Sequence, residues 1–369
     1  EEEGILDGEE GEGAQKAIEI LVALGDINGA EKLVEISGAQ ISGVSYKTIG
    51  DAGLAFLSDW ASKGARIKVP ATLNPAGVDI ERWKELNYPP EFAGKQLEIL
   101  RAYEDMGATA SCTCTPYLAG NKPGFGSTIS WAESSSVIFA NSVLGARTNR
   151  ESGISALAAA IIGKTSLHGL HLTENRLGTL NVEIEKMPAN EAEYAAIGYY
   201  IGKNYRGIPV FNNIKPSMEE LKIMGAALAT GSISMFHVRG VTPEYTDTKA
   251  ERIQVGKEEI EETFESLSTC DDAEVVCIGC PHCSLKEVEE ALRQKTDKEV
   301  WIFTARKNRD AIEKYRGNKK VIYDTCMVVS PMEEMGIRSI GTNSAKAAFY
   351  SLNLSGMDVK FDSMEGLLK

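Results

Sequence analysis

EVVCIGCPHCSLKEVEEALRQ occupies residues 274–294, and its reading decides the fold. The apolar run at 274–278 has the length of a buried strand. Residues 284–294 carry apolar side chains at helical spacing and read as a helix that starts at Ser284. The pattern then repeats: VWIFT (300–304) predicts a strand, 308–315 a helix, and KVIY (320–323) a further strand. Alternating elements of these lengths imply parallel βαβ units with helices on the sheet faces. Cys280 then stands in a tight turn just past the carboxyl end of one strand, and Cys326, in DTC (324–326), just past the end of another. Parallel neighbours bring both thiols out on the carboxyl edge, where open α/β sheets bind ligands. The helix start at Ser284 adds a positive dipole end that favours a thiolate.

Cys280-Pro281-His282-Cys283 is also a C-x-x-C between a strand and a helix, the context of a thiol–disulfide oxidoreductase. Those four residues alone suit redox exchange and metal binding equally. A thioredoxin-like domain leaves Cys114 and Cys326 without a role, whereas three separated sulfur positions fit a metal cluster. Cys277, inside the strand, and Cys270 read as core residues. Cys112 and Cys114 flank one Thr; if extended they point the same way, and either can face a site. None of the four histidines is paired at zinc spacing. His282 is the one placed to meet a substrate, and His168 and His171 read as surface residues.

Composition narrows the function. The chain has 369 residues, 43% hydrophobic and 25% charged, which describes an ordinary globular protein of two to three domains. Its formal charge of −14 argues against nucleic-acid binding, which needs surplus Lys and Arg. No apolar run reaches the ~18 residues of a membrane span. The start, EEEG, is acidic, unlike a signal peptide. Seven cysteines are odd in number and too few for a disulfide scaffold, so reduced thiols in the cytoplasm are expected.

Upstream the alternation continues. Helices are predicted at 14–24, 50–61, 91–106, 152–162 and 191–200, and from a capping box at Ser217 and Glu220 to 229; strands are predicted at 33–36, 65–69 and 180–184. Boundaries near 145 and 250 divide the chain into α/β domains at 1–145 and 146–250 and a βαβ domain at 251–369. SGVSYKT (42–48) and LNPAG (73–77) fit turns at a sheet edge that present backbone N–H groups and side chains, or serve as turns alone. In NSVLGARTNRES (141–152), Arg147, Asn149 and Arg150 precede a helix start, a pattern suited to a carboxylate or phosphate or to a solvated loop. GFGS (124–127) lacks the Lys of a phosphate loop.

Longer motifs carry a resemblance. ISGVSYKTIGDAG (41–53), TLNPAGVD (72–79), CTCTPY (112–117), WAESSSVIFANSVLGARTNRESG (131–153), IGCPHCS (278–284) and DTCMVV (324–329) resemble the aconitase X family over nearly the whole chain, in its separately encoded large subunit. The resemblance implies an α/β fold of aconitase-superfamily catalytic domains, with parallel or mixed sheets flanked by helices. It also implies an iron-dependent hydro-lyase. The iron is expected as an iron–sulfur cluster, [4Fe–4S] first, with [2Fe–2S] or a single iron as alternatives. Carried over motif by motif, the ligands are Cys114, Cys280 and Cys326, with Cys112 in reserve and Cys283 outside the set. Residues 251–369 then form the cluster-binding domain.

Family members dehydrate cis-3-hydroxy-L-proline in bacteria and fungi. In archaea they convert (R)-5-phosphomevalonate to trans-anhydromevalonate 5-phosphate, in the mevalonate pathway of isoprenoid biosynthesis. The archaeal enzyme is typically two polypeptides. A chain that stops at Lys369 leaves no room for the swivelling small domain, so phosphomevalonate dehydration by a heterodimer is expected, with a small subunit of roughly 130 residues. By analogy with the superfamily the base is a Ser on that subunit, and none is expected here. An iron with an incomplete ligand set takes the leaving hydroxide. Arg147, Asn149 and Arg150 are the candidates for the anionic ends of the substrate, with Ser45, Lys47 and Asn74 secondary. Two anion sites suit a phosphorylated hydroxy acid better than hydroxyproline.

Overall fold

A computed structural model describes residues 2–250, 252–312 and 319–369. The chain divides into two compact units, Glu1–Arg176 and Leu177–Lys369.

The first unit runs α1 (Glu2–Leu6), α2 (Glu12–Ile27), β1 (Leu33–Glu35), β2 (Ala39–Ile41), α3 (Tyr46–Ser62), β3 (Ala71–Leu73), α4 (Pro90–Met106), β4 (Ser130–Trp131), α5 (Ser134–Phe139), α6 (Gly153–Ile162) and β5 (Lys164–Ser166). β3, β2 and β4 form a parallel sheet, while β1 and β5 pair antiparallel. The small apolar face of α2 (Ala14, Ala17, Ile18, Leu21) and the mostly apolar α6 bury into a core with Trp60, Leu73 and Ile99. Ser152 caps α6 in a reciprocal bond with Ser155, and Gly163 in the left-handed region ends it. α3 begins at Tyr46, ahead of the predicted start, because Ser45 caps it; Gly50, at φ +58°, kinks it where the prediction had begun.

The strand predicted at 65–69 is absent. Its backbone is spent on helix ends: the Ile67 N–H donates to the Met106 carbonyl at 2.8 Å and that of Lys68 to Ala160 at 2.9 Å. Pro70 precedes the actual strand, β3.

The second unit holds two wholly parallel sheets. The first contains β6 (Leu180–Ile184), β7 (Pro209–Phe211), β8 (His237–Val238) and β9 (Arg252–Val255) in the order β8-β7-β6-β9, served by α7 (Glu191–Asn204), α8 (Met218–Leu228) and α9 (Lys257–Leu267). The second contains β10 (Val275–Cys283), β11 (Val300–Thr304), β12 (Lys320–Tyr323), β13 (Ser339–Thr342) and β14 (Asp358–Phe361), in the order β12-β11-β10-β13-β14. α10 (Leu285–Arg293), α11 (Arg309–Ile312), α12 (Ala345–Tyr350) and α13 (Met364–Leu368) accompany it. β10 is central and buried along its whole length, as a strand covered on both faces must be. The helix predicted at 308–315 is seen as α11; residues 313–315 lie outside the described residues. The mixed α/β architecture with helix-flanked parallel sheets is the expected one. Among the described residues, no helix is long and apolar enough to cross a membrane.

α7 and α8 approach through glycine. A Cβ on Gly198 would stand 2.4 Å from the Met224 carbonyl oxygen and 3.1 Å from the Ala227 Cβ. Replacing Gly198 with Ala is expected to force the helices apart and cost about 1–3 kcal/mol, read as a lower urea midpoint at unchanged slope.

Candidate active site

In the second unit, the strand predicted to stop at 278 continues to Cys283, and the expected tight turn is an irregular extended stretch. β10 pairs with β11 as Ile278↔Ile302 and then Cys283↔Thr304, five residues against two. Three extra residues, Cys280, Pro281 and His282 among them, therefore bulge from the ladder. Gly279 permits this. It sits at φ +116°, where a side chain is strained, and a Cβ there would lie 2.2 Å from the Phe303 carbonyl oxygen.

Cys280 and Cys326 are 6% and 7% exposed and close enough for each sulfur to feel the other. Burial, aided by the Cys280 sulfur, pushes the Cys326 thiol up to about 12. The N–H groups of Val329 and Val328, in the turn after Cys326, and the charge of Lys346 oppose that shift. Asp324, at φ +63°, turns the chain ahead of Cys326 and is held by a forked ion pair from Arg306, whose Nε lies 3.0 and 2.9 Å from its two oxygens. His282 is fully buried, and its Nε2 donates to the Thr325 carbonyl at 2.8 Å.

Cys283 packs in the apolar core with Val276, Ile278 and Val288. Burial drives its thiol, like that of Cys277, far above the ordinary range. A redox C-x-x-C works through an accessible thiolate at a helix start, and this pair is buried in a strand. All seven cysteines are free thiols.

In the first unit, three loops meet at the carboxyl edge of β3-β2-β4. The Gln40 amide donates to Asn74 Oδ1 at 3.2 Å, and the Asn74 amide donates to Glu133 Oε2 at 2.8 Å. The Glu133 N–H closes the ring on Gln40 Oε1 at 2.9 Å. Ser134 and Ser135 donate hydroxyls to Glu133 Oε1, and Ser136 donates to the Cys114 carbonyl at 2.7 Å. Cys114 and Cys112 are buried, with Cys112 at φ +42° in the main core. Ser45 is buried and accepts from the Lys47 N–H as the cap of α3; the Lys47 side chain is half-buried. Gln96, wholly buried on α4, binds the N–H groups of Tyr46 and Gly77 and the Val44 carbonyl, so one amide ties two of these loops together.

Residues 147–150 run parallel beside β4, bridging Thr128 to Arg147 and Trp131 to Arg150. Arg147 donates to the His171 carbonyl and the Thr173 hydroxyl, both at 2.9 Å. Asn149 binds the His168 carbonyl and accepts from the Leu170 N–H at 2.8 Å. These two candidates therefore organise the 168–173 segment, and Arg150 is exposed. Asn74 bonds to Glu133, Ser45 caps the helix at the Lys47 N–H, and Cys280 lies within electrostatic range of Cys326. Cys114 belongs to the first unit. Among the described residues, no group of three or more His, Cys, Asp or Glu side chains is gathered for a metal ion. The Cys280–Cys326 pair does fit a soft iron centre, offering sulfur donors with amide N–H groups aimed at one of them.

Sequence reasoning missed the Glu133–Ser134–Ser135–Ser136 run, although a Glu followed by three Ser before an apolar stretch is a visible helix-start signal. It also missed Glu151, whose carboxyl is raised by burial and whose Oε1 has no partner. His171, expected at the surface, is 4% exposed with both ring nitrogens unpartnered. The cause is the 168–173 segment, which Arg147, Asn149 and Arg176 pull inward.

Burial, with the charges of His168, Arg176 and Arg147, lowers the His171 pKa to about 4. The unfolded chain takes up this proton first as pH falls from its ordinary value of 6.5, so the stability of the neutral imidazole is complete above 6.5 and drains away down to about pH 4. The loss is on the order of 3 kcal/mol. Replacing His171 with Leu leaves no partner stranded and is expected to shrink the difference between urea melts at neutral pH and at about pH 4 by that order.

Residues 1–174, 178–265 and 273–369 match the families described as Aconitase X first domain, second domain and third domain. The chain is 49% identical to the phosphomevalonate dehydratase large subunit of Methanocaldococcus jannaschii, over 100% of this chain and 98% of that protein. It is 34% identical to the cis-3-hydroxy-L-proline dehydratase of Pseudomonas aeruginosa, over 100% of this chain and 68% of that one. The crystal structure of Thermococcus kodakaraensis aconitase X in its holo-form superposes with a TM-score of 0.92 at 46% identity, covering 100% of this chain and 98% of that chain. Matched from end to end in sequence and in fold, the chain belongs to the aconitase X family.

Proposed function

We propose that this chain is the large subunit of a hydro-lyase that dehydrates (R)-5-phosphomevalonate to trans-anhydromevalonate 5-phosphate on the mevalonate route to isoprenoids. One observation carries the reading. Four archaeal proteins named phosphomevalonate dehydratase large subunit are 46–49% identical over the whole of this chain and at least 95% of their own length. Two proteins named cis-3-hydroxy-L-proline dehydratase stand at 34% and 33%, and this chain spans only 68% and 66% of them. The unmatched remainder supports a second polypeptide here, a small swivelling subunit in a heterodimer. Cytoplasmic placement follows from the need to keep the thiols reduced.

The reaction breaks one C–H and one C–O bond, forms an alkene and releases water. An iron–sulfur cluster on Cys114, Cys280 and Cys326, when bound, supplies a Lewis acid for the departing hydroxide. The chain's own residues bind and orient. Arg150 is exposed at the end of the 147–150 segment and offers a guanidinium fork for an anionic end of the substrate. Arg147 and Asn149 hold the segment in place through 168–173. Asn74 is oriented by Gln40 and Glu133 at the sheet edge, next to the loop that bears Ser45 and Lys47. The base is assigned to a Ser of the small subunit.

Anaerobic reconstitution with the small subunit, assayed for alkene product on phosphomevalonate and on cis-3-hydroxy-L-proline, tests the reading. Turnover of phosphomevalonate is expected. Alanine at Cys114, Cys280 or Cys326 should abolish both iron retention and turnover. Arg150→Ala should lower kcat/KM roughly ten- to hundredfold, the worth of one charge-assisted contact. Turnover of hydroxyproline alone would overturn the substrate assignment.

A further inference from the structure

Lys222 lies on α8 and is 4% exposed. Its ammonium donates to the His282 backbone carbonyl at 3.0 Å and pairs with Glu287. The same carboxylate accepts from the Ser284 N–H at 2.7 Å, closing the cap of α10. The His282 ring reaches on to the Thr325 carbonyl, and the Thr325 hydroxyl meets that of Ser330 at 2.8 Å. His282 lies two residues after Cys280, and Thr325 immediately precedes Cys326. Through His282, held at its backbone carbonyl by Lys222 and at its ring by Thr325, α8 in the part matched as the second domain is linked to both thiol-bearing segments of the third.

Burying an ammonium costs several kcal/mol, and a well-packed apolar side chain commonly serves stability as well or better. Here the charge is spent on a carbonyl inside the bulge and on the carboxylate that caps the next helix. The bulge needs such help, because its three extra residues have left the β11 ladder and lost the register that fixes a strand.

We infer that Lys222 and His282 form a positioning strut that sets the separation and direction of the Cys280 and Cys326 sulfurs for the metal they hold together. The purpose of the strut rests on the iron-holding reading above, but its geometry does not. His282 acts as a positioning residue, with its Nε2 committed to Thr325.

Cadmium titration of the full chain under anaerobic, reducing conditions tests this, read by thiolate-to-cadmium charge-transfer absorption, with Cys326→Ala as the control that assigns the band. Lys222→Met and His282→Gln are each expected to weaken Cd²⁺ binding at least tenfold with wild-type circular dichroism. Combined, they should cost little more than either alone, as links of one line do. The double variant Lys222→Met/Glu287→Gln leaves no buried charge unpaired, stands in if Lys222→Met does not fold, and should show the same loss. In the iron-loaded two-chain complex, these variants should alter the visible spectrum and speed iron loss to a chelator about tenfold. Folded variants that bind Cd²⁺ and hold iron like the wild type would overturn the strut. Weakened Cd²⁺ binding in the variants of a complex that takes up no iron would sustain the strut and sink the iron–sulfur reading.

Discussion

At Gly279 the backbone takes φ +116°, and the Phe303 carbonyl oxygen occupies the space a methyl group would need. Much of the second unit is arranged around that close approach. β10 is the middle strand of five, and a regular strand there would pair its backbone on both sides and point every side chain into a covered face. The glycine lets β11 come near while the next three residues leave the ladder, so a deeply placed strand presents a thiol at its carboxyl end. Once out of register these residues need other partners. The Lys222 ammonium and the Thr325 carbonyl supply them, and both come from outside the neighbouring strand.

Legibility in the sequence followed the strength of the periodic signal. β11 and β12 stand at the residues their apolar runs mark, because β11 is buried throughout and β12 is buried after Lys320, while β6 stands where the alternating LNVEI pattern marks a half-buried strand. The capping box at Ser217 placed α8 for a local reason, since the cap is written within four residues, and the structure shows the same device at Ser284 and Glu287 ahead of α10. β2, β4 and β7, of two or three residues each, are too short to show a period. The alternating pattern at 65–69 is misleading because its N–H groups find helix carbonyls from 106 and 160, partners far away in the chain. The bulge in β10 was hidden for a related reason: Gly-Cys-Pro reads as a turn, and only the position of β11 makes it an extended excursion.

The candidate site divides the same way. The common sheet edge of the Cys280 and Cys326 segments was legible because parallel topology places successive strand ends on one edge. The roles of Arg147 and Asn149 were not, because charge and spacing cannot say whether a guanidinium faces solvent, a ligand or a neighbouring carbonyl. Both turn to residues 168–173. The Gln40–Asn74–Glu133 ring joins β2 to the segments after β3 and β4 and leaves no local mark. Gln96 is plainer still: an ordinary residue in an amphipathic helix whose single amide joins the loops after β2 and β3.

The strand order β12-β11-β10-β13-β14 has a consequence for how the chain reaches its native state. β10, β11 and β12 follow one another closely and can assemble as consecutive βαβ units while the chain is being synthesised. The other edge of β10 waits for β13, since Val275 pairs with Ile340, sixty-five residues on. Until then an apolar strand keeps one flank of unpaired N–H and carbonyl groups open, the template on which foreign strands add. The segment that bears the thiols therefore stays open on that flank until β13 has been made. Slowing synthesis between β12 and β13 lengthens that window, and a chaperone that occupies this flank shortens the chain's exposure to its own copies.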